Sequence, residues 1–280
     1  MDIEFFIENS YRISEFITKK YSTSFSLATS LLEKEKRKAI HAIYGFVRLA
    51  DEIVDSFHGY DKVFLVNRLN EDLNYALDNR ISTNTILVAF SDTVKKYNIS
   101  KSYIHAFMES MKCDLTKTEY FTPAETENYI YGSADVVGLM CLKVFCNGQH
   151  TLFNQLEQPA RKLGSAFQKV NFLRDLRGDI DILGRTYFPE ITTSGFNKNS
   201  KRIIEESIES DFCEAWNGIR QLPGRSKLAV AIAYFYYKEL FNKIKKSTPE
   251  KVLSERIRVS NFKKYLIIIR VFILYRFGRI

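Results

Sequence analysis

Apolar residues recur at three- and four-residue intervals along almost the whole chain, and no convincing run of strict alternation interrupts them. A chain with that period must bury helical stripes against one another, which predicts an all-α fold. The pattern marks helices near 2–20, 33–57, 61–79, 83–97, 101–118, 123–147, 159–181, 200–220, 223–246 and 249–277. Four of the five prolines fall at the starts of these segments, where a missing N–H leaves no helical bond unmade. The fifth, Pro189, opens a polar stretch, 189–200, read as a loop. Thr122-Pro123-Ala124-Glu125 has the form of a capping box, and Thr248-Pro249 repeats the start signal. Connections are short and no composition break divides them, so 1–280 reads as one domain of about ten helices.

With 45% apolar residues in 280, the chain can bury a large core, which excludes a disordered protein. Its 12 Gly and 5 Pro exclude collagen-like and low-complexity architectures. The cysteines Cys113, Cys141, Cys146 and Cys213 show neither a C-x-x-C pair nor zinc spacing, and buried free thiols are expected. No uninterrupted apolar stretch reaches the length of a membrane span, and the acidic start Met1-Asp2-Ile3-Glu4 is unlike a signal peptide. A cytoplasmic protein is the expectation.

The formal charge of +8 is concentrated at one end. Residues 251–280 hold eight basic side chains against Glu255 alone, a net +7, which leaves +1 for the other 250 residues. A nucleic-acid binder would spread its charge differently, so none is expected as a partner. Within the same tail, Tyr265–Ile269 and Val271–Tyr275 are apolar runs split by Arg270. Such a helix, 249–277, can dock on the body with its cationic heads in water or lie peripherally at the inner, anionic face of a membrane.

Two other helices carry acids in a pattern that stability alone would avoid. Tyr44, Arg48, Asp51 and Asp55 are spaced by four, three and four residues; Gln168, Asn171, Asp175 and Asp179 by three, four and four. Each set therefore forms a polar stripe among apolar neighbours. Like charges four apart on a helix repel by roughly 0.2–0.5 kcal/mol in water, and more where partly buried. Hard oxygen ligands on a rigid helix suit Mg²⁺, which takes one or two carboxylates and completes its shell with water and phosphate oxygens. Two facing stripes flanked by Arg48 and Arg174 can hold a diphosphate; solvated helix faces with incidental acids are the alternative.

Together with other segments, these residues resemble the phytoene/squalene synthase family of head-to-head prenyl synthases. Tyr21-Ser22-Thr23-Ser24-Phe25 is similar to its Ser-x-Ser-Phe segment, and Asp51-Glu52-Ile53-Val54-Asp55 to its first aspartate-rich motif. Tyr129–Gly138 resembles its Tyr-x-x-x-Val-Ala-Gly-x-Val-Gly helix. Gln168–Pro189 follows the second motif, Gln-x-x-Asn-x-x-Arg-Asp-x-x-x-Asp, through Gly184-Arg185-x-Tyr187-Phe188-Pro189. Tyr237 and Arg256 resemble late diphosphate-contacting positions, and the likeness runs from about residue 15 to 270. There are two departures: Gly178 stands where the family has an acid, and Ser133-Ala134-Asp135 replaces Val-Ala-Gly.

The resemblance implies an isoprenoid-synthase bundle around a central apolar cavity. It implies metal ligation of Mg²⁺, with Mn²⁺ as a substitute, by Asp51, Asp55, Asn171, Asp175 and Asp179. It implies substrate contacts from Ser22, Ser24, Phe25, Arg48, Gln168, Asn171, Arg174, Tyr187, Tyr237 and Arg256, with Tyr44 and Tyr129 joining the four aspartates in catalysis. The expected reaction joins two geranylgeranyl diphosphates through a cyclopropyl diphosphate to 15-cis-phytoene, in carotenoid biosynthesis and without NADPH. Farnesyl diphosphate giving squalene or dehydrosqualene is the alternative, and a family member turned non-catalytic assembly factor is another. Thr29, short and one turn past Phe25, leaves room for the longer chain. Oligomeric state stays open.

Overall fold

The computed structural model describes residues 2–280, so residue 1 of the expected domain lies outside it. Helices follow in the order α1 (Ile3–Tyr21), α2 (Thr23–Thr29), α3 (Lys34–Ser56), α4 (Lys62–Asn79), α5 (Thr85–Lys96), α6 (Lys101–Cys113) and α7 (Pro123–Ile130). A π-helical turn, Tyr131–Asp135, joins α7 without a break to α8 (Val136–Cys146). Then come α9 (His150–Asp181), α10 (Pro189–Ser194), α11 (Lys198–Ile219), α12 (Gly224–Lys246), α13 (Pro249–Ser254) and α14 (Asn261–Arg276). The fold is all-α, as the periodicity implies. No strand forms among the described residues, only an isolated parallel bridge between Glu119 and Thr186.

Several helix starts are set by side chains that accept the first free backbone N–H groups: Asp2, Ser22, Asp61, Ser100 and Thr248 each cap a helix. The capping box at Thr122 forms with Glu125 as its reciprocal partner. Buried side chains fall into two main cores. One gathers α3 to α6 and α8 around Phe46, Phe90 and Phe107. The other gathers α9, α11, α12 and α14 around Val170, Phe212 and Phe241. α3 belongs to the first; α9 starts in it with Phe153 and Leu156 but carries its acidic stripe in the second, so the two acidic stripes belong to different halves.

Four expectations change. α9 does not begin at Pro159 but runs through it from His150. Proline there removes the N–H that Gln155 would have received, yet the helix continues because the ring fills space against α11. A Cβ on Gly218 would collide with the Pro159 ring, so proline on one helix and glycine on the other make a close crossing. Pro189 is not in a loop: it opens α10 at a first-turn position. The tail is two helices, α13 and α14, separated by the non-helical residues 255–260. The thiols are unpaired, but only Cys146 is buried; Cys113 and Cys213 are exposed.

The continuous helix Pro123–Cys146 is long and apolar enough to cross a bilayer, but its apolar stretch is mostly buried among α3, α6 and α9. Its π turn has a local setting. Gly132 lies so close to α6 that a Cβ would sit 2.6 Å from the Ala106 carbonyl, and a Cβ on Gly164 would sit 2.8 Å from the Ala134 carbonyl. The one-residue bulge falls where the helix is approached this closely from two sides. Tyr129, Ser133, Val137 and Cys141 then face the same interior space.

Candidate active site

Between the two cores lies a cavity of about 650 Å³. Its walls come from α2, α3, the α7–α8 helix, α9, α11, α12 and α14, and its lining is mainly apolar. All the residues singled out from the sequence reach it: Ser22, Ser24, Phe25, Tyr44, Arg48, Asp51 and Asp55 from the N-terminal side, with Tyr129. Gln168, Asn171, Arg174, Asp175, Asp179, Tyr187, Tyr237 and Arg256 reach it from the other half. Thr29 lies on the wall as well and pairs with the buried His41 at 3.0 Å. Of the two departures, Ser133 and Ala134 line it as well, while Asp135 and Gly178 do not. Asp135 faces Arg161 at 3.4 Å on the far side of its helix, and Gly178 borders open space.

The polar end of the cavity is a charge network in which acids from both halves feel one another. Burial, then the charge of Asp55, pushes Asp51 up to about 7. Burial, then Asp175 and Asp55, does the same to Asp179. The influence of Asp55 on Asp179 is the electrostatic mark of the α3 and α9 stripes meeting across the cavity. Asp175 is held by Arg174 and by the Arg256 Nε, 2.7 Å away. Arg48 pairs with Glu52 and lies over the Tyr21 ring at 4.4 Å. Tyr237 donates to the Asn171 Oδ1 at 3.2 Å and stacks on Phe167 at 3.9 Å, while Gln168 reaches Ser133 at 3.5 Å. Ser22 accepts the Phe25 N–H as the cap of α2, and Phe25 stacks on Tyr44 at 5.0 Å.

The sequence reading missed Asp114 and the role of Arg185. Arg185 is only 5% exposed; it donates to Asp55 at 2.9 Å and to the Asp114 carbonyl at 2.7 Å. Tyr129 donates to the Asp114 Oδ2 at 2.8 Å, and Tyr187 stacks on Phe172 at 4.0 Å. Asp114 is pushed up to about 7, chiefly by burial. The Glu119–Thr186 bridge brings this group together: Thr186 donates its N–H to the Thr118 carbonyl at 2.8 Å, and Thr126 donates to the Tyr187 carbonyl at 2.8 Å. Arg185 stood inside a quoted motif, but Asp114 sits just after α6 with no spacing signal to reveal it.

Among the described residues, no group of three or more His, Cys, Asp or Glu side chains converges on one point. Two buried atoms without a hydrogen-bond partner among the described residues line the same end: the Arg48 Nε, a donor, and the Asp114 Oδ1, an acceptor. An unmet donor for an anion and an unmet carboxylate oxygen for a cation at one end are groups that a metal–diphosphate would satisfy.

In comparison with known proteins, the chain matches the family described as squalene/phytoene synthase over residues 18–263. It is 24% identical to 4,4'-diapophytoene synthase of Staphylococcus haemolyticus, over 93% of this chain and 95% of that one. It is 28% identical to the chloroplastic phytoene synthase 2 of Zea mays, over 89% of this chain and 66% of that one. The crystal structure of a dehydrosqualene synthase superposes with a TM-score of 0.83 at 22% identity, covering 96% of this chain and 98% of that one. Squalene synthase HpnC from Alicyclobacillus acidocaldarius superposes with a TM-score of 0.76 at 19% identity, covering 88% and 96%.

Proposed function

Since the chain belongs to the squalene/phytoene synthase family and is a prenyltransferase, we propose that it condenses two geranylgeranyl diphosphates head to head to 15-cis-phytoene. The observation that carries this reading is the meeting of two acidic stripes, from opposite cores, at the polar end of one apolar cavity. Asp51, Asp55, Asp175 and Asp179, with Asn171, would hold Mg²⁺ there. That ion, when bound, supplies positive charge to the departing diphosphate.

The chain's own residues do the rest. Arg48, Arg174 and Arg256 face the same end and share the diphosphate charge as the allylic C–O bond breaks. The second substrate's double bond attacks the allylic cation and a proton leaves, closing a cyclopropylcarbinyl diphosphate. A second ionisation, rearrangement and proton loss join the two C1 carbons. No side chain acts as a nucleophile. The apolar wall keeps water from the cations, and the faces of Phe25, Tyr44, Phe167 and Phe172 can stabilise them. Burial of a C20 tail offers about 0.8 kcal/mol per carbon, or roughly 16 kcal/mol before the costs of binding.

A second reading has an observation in its favour. The diapophytoene synthase relative and the dehydrosqualene synthase structure match this chain nearly end to end, which supports a C15 substrate. The small Thr29 on the cavity wall supports C20. Incubation with Mg²⁺ and each diphosphate, with and without NADPH, followed by mass analysis of the hydrocarbon, separates them. A C40 triene from the C20 substrate without NADPH is expected. A C30 product alone, or a strict NADPH requirement, would overturn the choice. An assembly factor with no catalysis would give no product at all, and the retention of all four aspartates on the cavity wall argues against it.

A further inference from the structure

Helix α14 has two apolar faces. The inner one packs on α12 through the buried Ile267 and Val271 and contributes Lys264, Ile267 and Ile268 to the cavity wall. The outer one is a stripe at helical spacing, Phe262, Leu266, Ile269, Phe272 and Ile273, and it covers nothing. Phe262 is 73% exposed, Ile269 56% and Phe272 51%, and Phe277 extends the stripe beyond the last turn. Expected to dock as a core helix or lie on a membrane, the tail does the first with one side only.

Charge says what fits the other side. From residue 256 to 280 there are seven cations and no acid. Lys263 reaches back to Glu239 at 3.6 Å and Arg270 lies over the Phe235 ring, but Arg276 and Arg279 are exposed and make no ion pair among the described residues. A second copy of this stripe, related by a two-fold axis, would set cations against cations. Helix α1 also exposes apolar residues, Phe5 and Phe16 among them, but Glu4, Glu8 and Glu15 run through it. Among the described residues, only α14 joins an open apolar stripe to cations without acids, and that combination suits an anionic lipid surface.

We propose that α14 docks on an anionic bilayer by its outer face, so that one helix stands between the cavity and the lipid. The proposal rests on the function above only for its use: an apolar hydrocarbon formed behind α14 has lipid, not water, on the far side of that wall. Enzymes that consume such a product must then take it from the membrane.

Flotation of the full chain with phosphatidylcholine vesicles, with and without phosphatidylglycerol, tests the docking without reference to catalysis. Binding to the anionic vesicles is expected to exceed binding to the neutral ones by at least about ten-fold. Ile269→Glu with Phe272→Glu should abolish it, and Arg276→Gln with Arg279→Gln should weaken it about ten-fold. These side chains lie outside the cavity, so prenyl turnover in detergent should be unchanged. The arginine pair keeps the test valid if the glutamate pair fails to fold. Absence of flotation, equal flotation with both vesicles, or flotation unaffected by either pair would overturn the proposal. So would a dimer in analytical ultracentrifugation that the stripe variants dissolve, which would give the face to a second copy. A chain that floats but makes no hydrocarbon would leave the docking standing and count against the enzymatic reading alone.

Discussion

Asp51 shows what burying one carboxylate beside another costs. Its folded pKa, raised to about 7, lies above that of an unfolded aspartate, so the folded state binds its proton more tightly. The stability this contributes is complete below about pH 4 and is lost as pH rises through about 7. Metal-free protein should therefore melt lower at pH 8 than Asp51→Asn does, by on the order of 1 kcal/mol of stability, while Mg²⁺ binding should release protons and tighten with rising pH. Calorimetry in two buffers of different ionisation enthalpy reads both. His41 behaves in the opposite sense. Burial, helped by Arg37 and Lys19, lowers it to about 4, so its contribution is present above about 6.5 and lost as pH falls toward 4. Relative to wild type, His41→Gln should lose that acid sensitivity, worth up to roughly 3 kcal/mol in urea unfolding between pH 7 and pH 4. Arg185 ties Asp55 to the Asp114 carbonyl, so Arg185→Met should lower kcat and weaken the Mg²⁺ dependence together, by about ten-fold or more, with the helical signal intact. Steady-state kinetics across a Mg²⁺ titration would show whether the two move together.

Among elements, what could be read from the chain was what repeats. The stripes on α3 and α9 were legible because carboxylates at three- and four-residue spacing share a face whatever the fold does. The break between α13 and α14 was not, since Arg256 and Arg258 continue an apolar and basic pattern that the backbone leaves. Nor was the passage of α9 through Pro159, which depends on a glycine 59 positions later. Local signals cannot report such a pairing. The crossing is itself testable: Gly218→Ala would drive its methyl into the Pro159 ring and should cost about 1–3 kcal/mol by chemical denaturation. The double variant with Pro159→Ala should recover part of that loss.

At the scale of the whole molecule, the cavity is the seam between two cores, and each core holds one acidic stripe. Sequence could place the acids on helices but not Asp114 and Arg185 beside them, because contacts between distant segments, the Glu119–Thr186 bridge and the Thr126–Tyr187 hydrogen bond among them, bring the two together. On the proposed reading, the arrangement accounts for a charged end and an apolar remainder: ions would gather where the helices meet, and the hydrocarbon tails would lie along the cores. It makes both stripes equally necessary. Mg²⁺-dependent release of diphosphate from prenyl substrate, measured for Asp51→Asn on α3 and for Asp175→Asn on α9, tests that claim most directly. A loss of at least about a hundred-fold in each, with helical content intact and melting no lower than wild type, is the expected result. Near-normal turnover in either variant, or turnover that needs no divalent ion, would contradict it.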